Sequence, residues 1–222
     1  MVDPVWRTLQ IADSAFPTGG FAHSAGLEAA AVAGVVRGAE DLDAFVYAHV
    51  WTVGNGSLPF VAAAHRDPAG VWAIDALAEA HLTNHVANRA SRTQGRTFAA
   101  TSAHVFDAPV VRAIADRAAT REVPAHLGPV FGAVLASVGV GLRDALGLHL
   151  LLALRSVTSA AVRLGIVGPH EAQRVQGRHA ATLDSVLAAC EALTPAQAAV
   201  TSPLFDLFGA THDRLYARLF QS

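Results

Sequence analysis

The sequence predicts an all-α protein, a single domain built as a bundle of about ten helices. Three observations carry that expectation. Hydrophobic residues make up 52% of the chain and charged ones only 15%, with alanine supplying much of the apolar excess, and alanine is the strongest helix former. Helix start and stop signals recur throughout. No two runs alternate as paired strands would, and Gly54-Asn55-Gly56, the one hairpin-like signal, sits between two helical patterns.

Taken in order, Met1 to Gln10 is interrupted by Asp3, Arg7 and Gln10 and does not read as a signal peptide. The first expected helix is Phe21–Ala33. Asp41-Leu42-Asp43 opens a second, in which Leu42, Phe45, Val46, His49, Val50 and Val53 recur at helical spacing. Further helices are expected at about Leu58–Arg66, Val71–Ala87, Asn88–His104, Pro109–Ala118, Leu127–Val138, Leu142–Leu164 and Pro169–Ala192. Gly165 and Gly168 stop the helix ahead of Pro169, while Thr194-Pro195-Ala196-Gln197 forms a capping box and Ser202-Pro203 opens a last helix. A chain of 222 residues suits one domain, and breaks such as Asp67-Pro68-Ala69-Gly70 are short enough for interhelical turns.

Net charge is −2 and all 16 basic residues are arginine, so the chain lacks the basic field expected of a nucleic-acid binder. Cys190 is alone and cannot form an internal disulfide, which makes the cytoplasm the expected compartment. The most membrane-like stretches, Val130 to Val140 and Ala145 to Leu154, are separated by Arg143 and Asp144, and each falls short of the roughly 20 residues of a spanning helix. They read as core.

Five local patterns are candidates for function. Pro17-Thr18-Gly19-Gly20 runs into His23-Ser24 and on to Glu28, a turn whose backbone amides and small polar side chains another molecule could approach. Ala22-His23-Ser24-Ala25-Gly26 approximates a nucleophile elbow, raising a serine hydrolase centred on Ser24, but an elbow needs a preceding strand that this chain lacks room for. His81 and His85, four apart, would share one side of a helix and could offer two metal ligands, with no third in sight. Arg89, Arg92 and Arg96 form a stripe around Gln94 and Gly95; arginine suits carboxylate or phosphate capture, and a glycine inside a helix answers a close-packing need.

The fifth pattern is the C-terminus, residues 203–222, which carries Leu215, Tyr216, Leu219 and Phe220 beside Arg214 and Arg218. Aromatic and arginine anchors are what a docking tail presents.

These stretches together resemble the UreF family of urease accessory proteins. The matching pieces run from Leu9-Gln10-Ile11-Ala12-Asp13-Ser14-Ala15-Phe16-Pro17-Thr18-Gly19-Gly20-Phe21-Ala22-His23-Ser24 through Gly26-Leu27-Glu28. They continue with Ala90-Ser91, Gln94-Gly95-Arg96, Gly128 to Gly132 and Ser159 to Leu164, and end with His212 through Ser222. Departures are Ala25, Phe208-Gly209-Ala210 and the complete absence of lysine. The resemblance implies a non-enzymatic, all-α cytoplasmic protein that forms a homodimer and bridges a UreD/UreH-type accessory protein to the GTPase UreG, helping nickel reach apo-urease. It also implies an influence on GTP hydrolysis by the partner, no intrinsic cofactor, and no nucleic-acid or membrane partner. Partner contacts are then expected at Pro17, Thr18, Gly19, Gly20, His23, Ser24, Glu28, Arg89, Arg92, Gln94, Arg96, His212, Arg214, Tyr216, Arg218, Leu219 and Phe220. A direct nickel metallochaperone using His81 and His85 is the main alternative.

Overall fold

A computed structural model describes residues 3–221; Met1, Val2 and Ser222, the last residue of the expected tail, lie outside them. The described residues are helical with no strand. In order the helices are α1 Pro4–Ala12, α2 Leu27–Val32, α3 Ala39–Gly56, α4 Leu58–Arg66, α5 Val71–His81 and α6 His85–Val105. There follow α7 Pro109–Ala119, α8 Leu127–Ser137, α9 Leu142–Arg163, α10 Pro169–Arg178, α11 Ala180–Cys190 and α12 Pro203–Thr211. Short 3-10 turns stand at Gly20–Ala22, Pro195–Gln197 and His212–Arg214.

Helix α8 is buried on nearly every side, as an apolar stretch without a polar face must be. Helix α4 packs on it closely because Gly132 gives way: a Cβ there would stand 2.2 Å from the carbonyl oxygen of Val61. Helix α9 is the second axis of the core and touches α3, α4, α10 and α11. By length and composition α9 could cross a membrane, more than the two short stretches read from sequence suggested; 56% of its most apolar window is buried inside the fold.

Five boundaries differ from expectation, each for a local reason. Helix α1 forms where only an interrupted start was read, with Asp3 capping it through Val5 N and Pro4 in the first turn. The helix expected over Phe21–Ala33 is split, because Ala25 (φ 53°) and Gly26 (φ 83°) both take the left-handed conformation. Helix α3 runs through Gly54-Asn55-Gly56, with Gly54 leaving room for Val186 of α11. Asn84 accepts from Val86 N and Ala87 N, which ends one helix and starts the next at Leu82–Asn84 rather than after Ala87. Pro169–Ala192 breaks at His179, so that α10 lies on α9 while α11 reaches α3.

Candidate functional site

The Pro17–Gly20 turn lies against α6. Gly19 has φ 75°, a conformation that favours glycine, and the Thr101 hydroxyl donates to Pro17 O at 2.9 Å. Thr18 Oγ1 accepts from Gly20 N. His23 and Ser24 are buried behind this turn, and Ser24 Oγ accepts from Glu28 N as α2 begins. Burial, then the charges of Arg89 and His212, push the His23 imidazole down to about 4. No strand precedes Ser24 among the described residues, so the strand-to-turn geometry of a nucleophile elbow does not form there.

Glu28 is buried and ties this turn to the C-terminus. Its carboxylate accepts from His212 Nε2 at 3.0 Å, Leu219 N at 2.6 Å and Phe220 N at 3.2 Å. Gln221 N donates to Ala22 O at 2.8 Å. The Arg163 guanidinium lies between two rings, 3.9 Å from the centroid of Phe21 and 4.2 Å from that of Phe220. Phe220 and His212 are buried, whereas Arg214, Tyr216, Arg218 and Leu219 face solvent. Thus Glu28, His23, Ser24, His212 and Phe220 lie inside, beneath an outer layer of the same surface.

The arginine stripe on α6 is divided among internal partners. Arg89 makes a two-pronged bond to Asp213, at 3.1 and 2.8 Å, and holds that carboxyl below its usual range. Arg92 approaches Glu79 at 3.8 Å. Arg96 reaches back to Val123 O, and burial lowers its affinity for the proton. Gln94 stands near Gly20. Gly95 answers the close-packing need, since a Cβ there would meet Ala125 O at 2.0 Å.

The expectation that His81 and His85 share a helix face is corrected by the Asn84 cap. His81 ends α5 and packs on the Phe60 ring, whereas His85 begins α6 and points to Asp213 at 3.4 Å. Among the described residues no group of three His, Cys, Asp or Glu side chains is placed to hold a metal ion.

Sequence reading missed two features. One is a buried network in which Asp75 accepts from Ala125 N at 2.8 Å and His126 N at 2.7 Å. His126 Nε2 meets Glu79 at 2.6 Å and its Nδ1 meets Ser91 Oγ at 3.1 Å; with Nε2–H donated to Glu79, Nδ1 accepts a hydrogen bond from the Ser91 hydroxyl. A carboxylate inside an apolar helical pattern, as Asp75 is, was the available signal. The other is a partly open cavity of about 650 Å³ bounded by the Pro17–Gly26 segment, α3, α4, α6, α8, α9 and α12. His49, His81, His126 and His149 line it, and burial holds His49 and His149 down at about 4, so both are neutral imidazoles. Only the fold assembles it, from residues far apart in sequence.

Comparison with known proteins shows the family. The UreF family model matches residues 36–180. Urease accessory protein F of Arabidopsis thaliana is 37% identical over 221 residues, spanning 98% of this chain and 92% of that protein. The protein of the same name from Oryza sativa subsp. indica is 35% identical over 97% of this chain and 84% of its own length. Urease accessory protein UreF of Arthrobacter sp. (strain FB24) is 29% identical over 96% and 95% respectively. With a matching family model over more than half its length and full-length relatives above 30% identity, this chain belongs to the UreF family of urease accessory proteins.

Proposed function

We propose that this chain is a non-catalytic scaffold in urease maturation that bridges a UreD/UreH-type accessory protein and the GTPase UreG, so that nickel reaches apo-urease. One observation carries the reading. The two ends of the chain join in a single outer layer where Phe21, Tyr216 and Leu219 are exposed beside Arg214 and Arg218, the mixture of apolar and arginine anchors that concentrates binding energy at interfaces. The same reading makes the chain a cytoplasmic homodimer with no cofactor of its own, leaves nickel as cargo of the assembled complex, and gives it influence over GTP hydrolysis by UreG. Arg89, Arg92, Gln94 and Arg96 contribute the polar flank of the partner surface, and the Pro17–Ser24 turn its second edge. Replacing Tyr216 and Arg218 together by alanine is expected to abolish co-purification with the UreD/UreH-type protein; unchanged co-purification overturns the assignment of the tail.

A second reading is direct nickel carriage through His81 and His85 with the ligand set completed across a dimer, because neutral imidazole is a good ligand for nickel and burial lowers the proton affinity of His81. Equilibrium dialysis of the isolated protein separates the two readings. A carrier binds nickel tightly and loses it in a His81→Ala/His85→Ala variant, whereas a scaffold binds little in either form.

A further inference from the structure

We propose that Glu28 is the positioning residue of the docking surface: its buried carboxylate seats the C-terminal segment against the N-terminal turn before any partner arrives, and the surface so formed fits a protein offering carboxylates around an apolar hollow. The second half rests on the bridging reading above; the first does not. A buried carboxylate must be satisfied by donors, and Glu28 takes three from the far end of the chain: His212 Nε2, Leu219 N and Phe220 N. The bond from Gln221 N to Ala22 O closes the same seam from the other side.

The side chains divide accordingly. Phe220 goes inward and stacks on Arg163, while Leu219 and Tyr216 are turned out to solvent. Terminal residues ordinarily fray, so a tail seated by three bonds to one carboxylate has lost its freedom in advance, which lowers the ordering cost of binding.

Charge identifies the partner. Arg163 flanks Phe21 and Phe220, Arg214 and Arg218 are exposed, and the nearby acid Asp213 is already engaged by Arg89 and Arg218. The surface therefore keeps an excess of positive charge around Phe21, Tyr216 and Leu219. A second copy of the chain docking symmetrically through this patch would set arginine against arginine, whereas an acidic partner gains both steering and pairing.

Hydrogen exchange on the full-length protein, combined with titration of a purified UreD/UreH-type protein at low and high salt, tests both halves. The expected result is protection of the Leu219, Phe220 and Gln221 amides in the free wild type. In Glu28→Ala those amides should exchange at least about tenfold faster, with α8 and α9 unchanged and partner affinity reduced about as much. Wild-type affinity should fall with salt, and Arg218→Glu should weaken binding without altering protection. Unprotected amides in the free wild type overturn the seating by Glu28 even if the partner binds. Protected amides with full affinity in Glu28→Ala overturn its positioning role. Protection without any wild-type binding leaves the seating intact and sinks the bridging reading, salt-independent binding sinks the acidic partner, and self-association through the patch replaces that partner with a second copy. Should Glu28→Ala fail to fold, Phe21→Ala, which unseats the Arg163 stack and leaves the buried charge paired, is expected to speed exchange at the same amides; no change there counts against the proposal.

Discussion

Two buried carboxylates in this molecule make the same kind of bond and serve different ends. Asp75 receives the consecutive amides of Ala125 and His126; Glu28 receives those of Leu219 and Phe220. Each lies beside a histidine paired to a carboxylate, His126 with Glu79 and His212 with Glu28. The difference is what lies above. The segment held by Asp75 is pressed onto α6 at Gly95 and leads into α8, so the clamp fastens the core. The segment held by Glu28 has a solvent-facing outer side rich in aromatic and arginine residues, so the clamp presents a surface.

The comparison predicts unequal consequences. The largest effect is expected from acid, which acts on the cavity between the two clamps. His49 and His149 are held down at about 4 in the fold against 6.5 in model peptides. Below about 6.5 the unfolded chain takes up protons that the folded one refuses, so stability present above that pH is lost as pH falls towards 4. The loss is on the order of several kcal/mol for the pair, measurable by urea unfolding at a series of pH values; a flat profile between pH 6.5 and 4, or one unchanged in His49→Gln/His149→Gln, contradicts it.

Next comes Asp75→Ala, which strands two buried amides at about 1–3 kcal/mol each. Gly95→Ala forces a methyl group against Ala125 O and is expected to cost about 1–3 kcal/mol. Both should move the midpoint of denaturant unfolding. Glu28→Ala should move it less, by about 1 kcal/mol or under, because a terminal segment can open without the rest. If Glu28→Ala proved as damaging to global stability as Asp75→Ala, the distinction between fastening and presenting would collapse. Smallest of all, Tyr216→Ala should leave stability within about 0.5 kcal/mol of wild type while weakening partner binding.

The two clamps also differ in how far they could be read from sequence. The composition, the helical periodicities and the Pro and Gly punctuation sufficed for the all-α architecture, and the turn from Pro17 to Glu28 and the tail from His212 stood out as unusual. Their meeting was not legible, since the bonds from Glu28 to residues some 190 positions away depend on tertiary folding. Glu28 was expected at a partner surface, and the fold buries it. Asp75 itself is marked in the sequence as a carboxylate within an apolar helical pattern, but its partners are not, because they are backbone amides, which have no sequence signature. His81 and His85 show the opposite error, where a suggestive spacing was broken by Asn84, a helix cap that could have been noticed. Helix α1 was legible only in its start signal, Asp3-Pro4, because Arg7 and Gln10 interrupt the apolar pattern that follows it.

The most direct test of the scaffold account is light scattering on size-exclusion fractions of the purified chain mixed with a UreD/UreH-type protein and UreG, with and without guanine nucleotide. The account predicts one assembly containing all three proteins, held together by this chain and absent when it is left out. A solitary monomer that joins neither protein under any of these conditions, or a UreD/UreH-type protein and UreG that assemble equally well without it, contradicts the account.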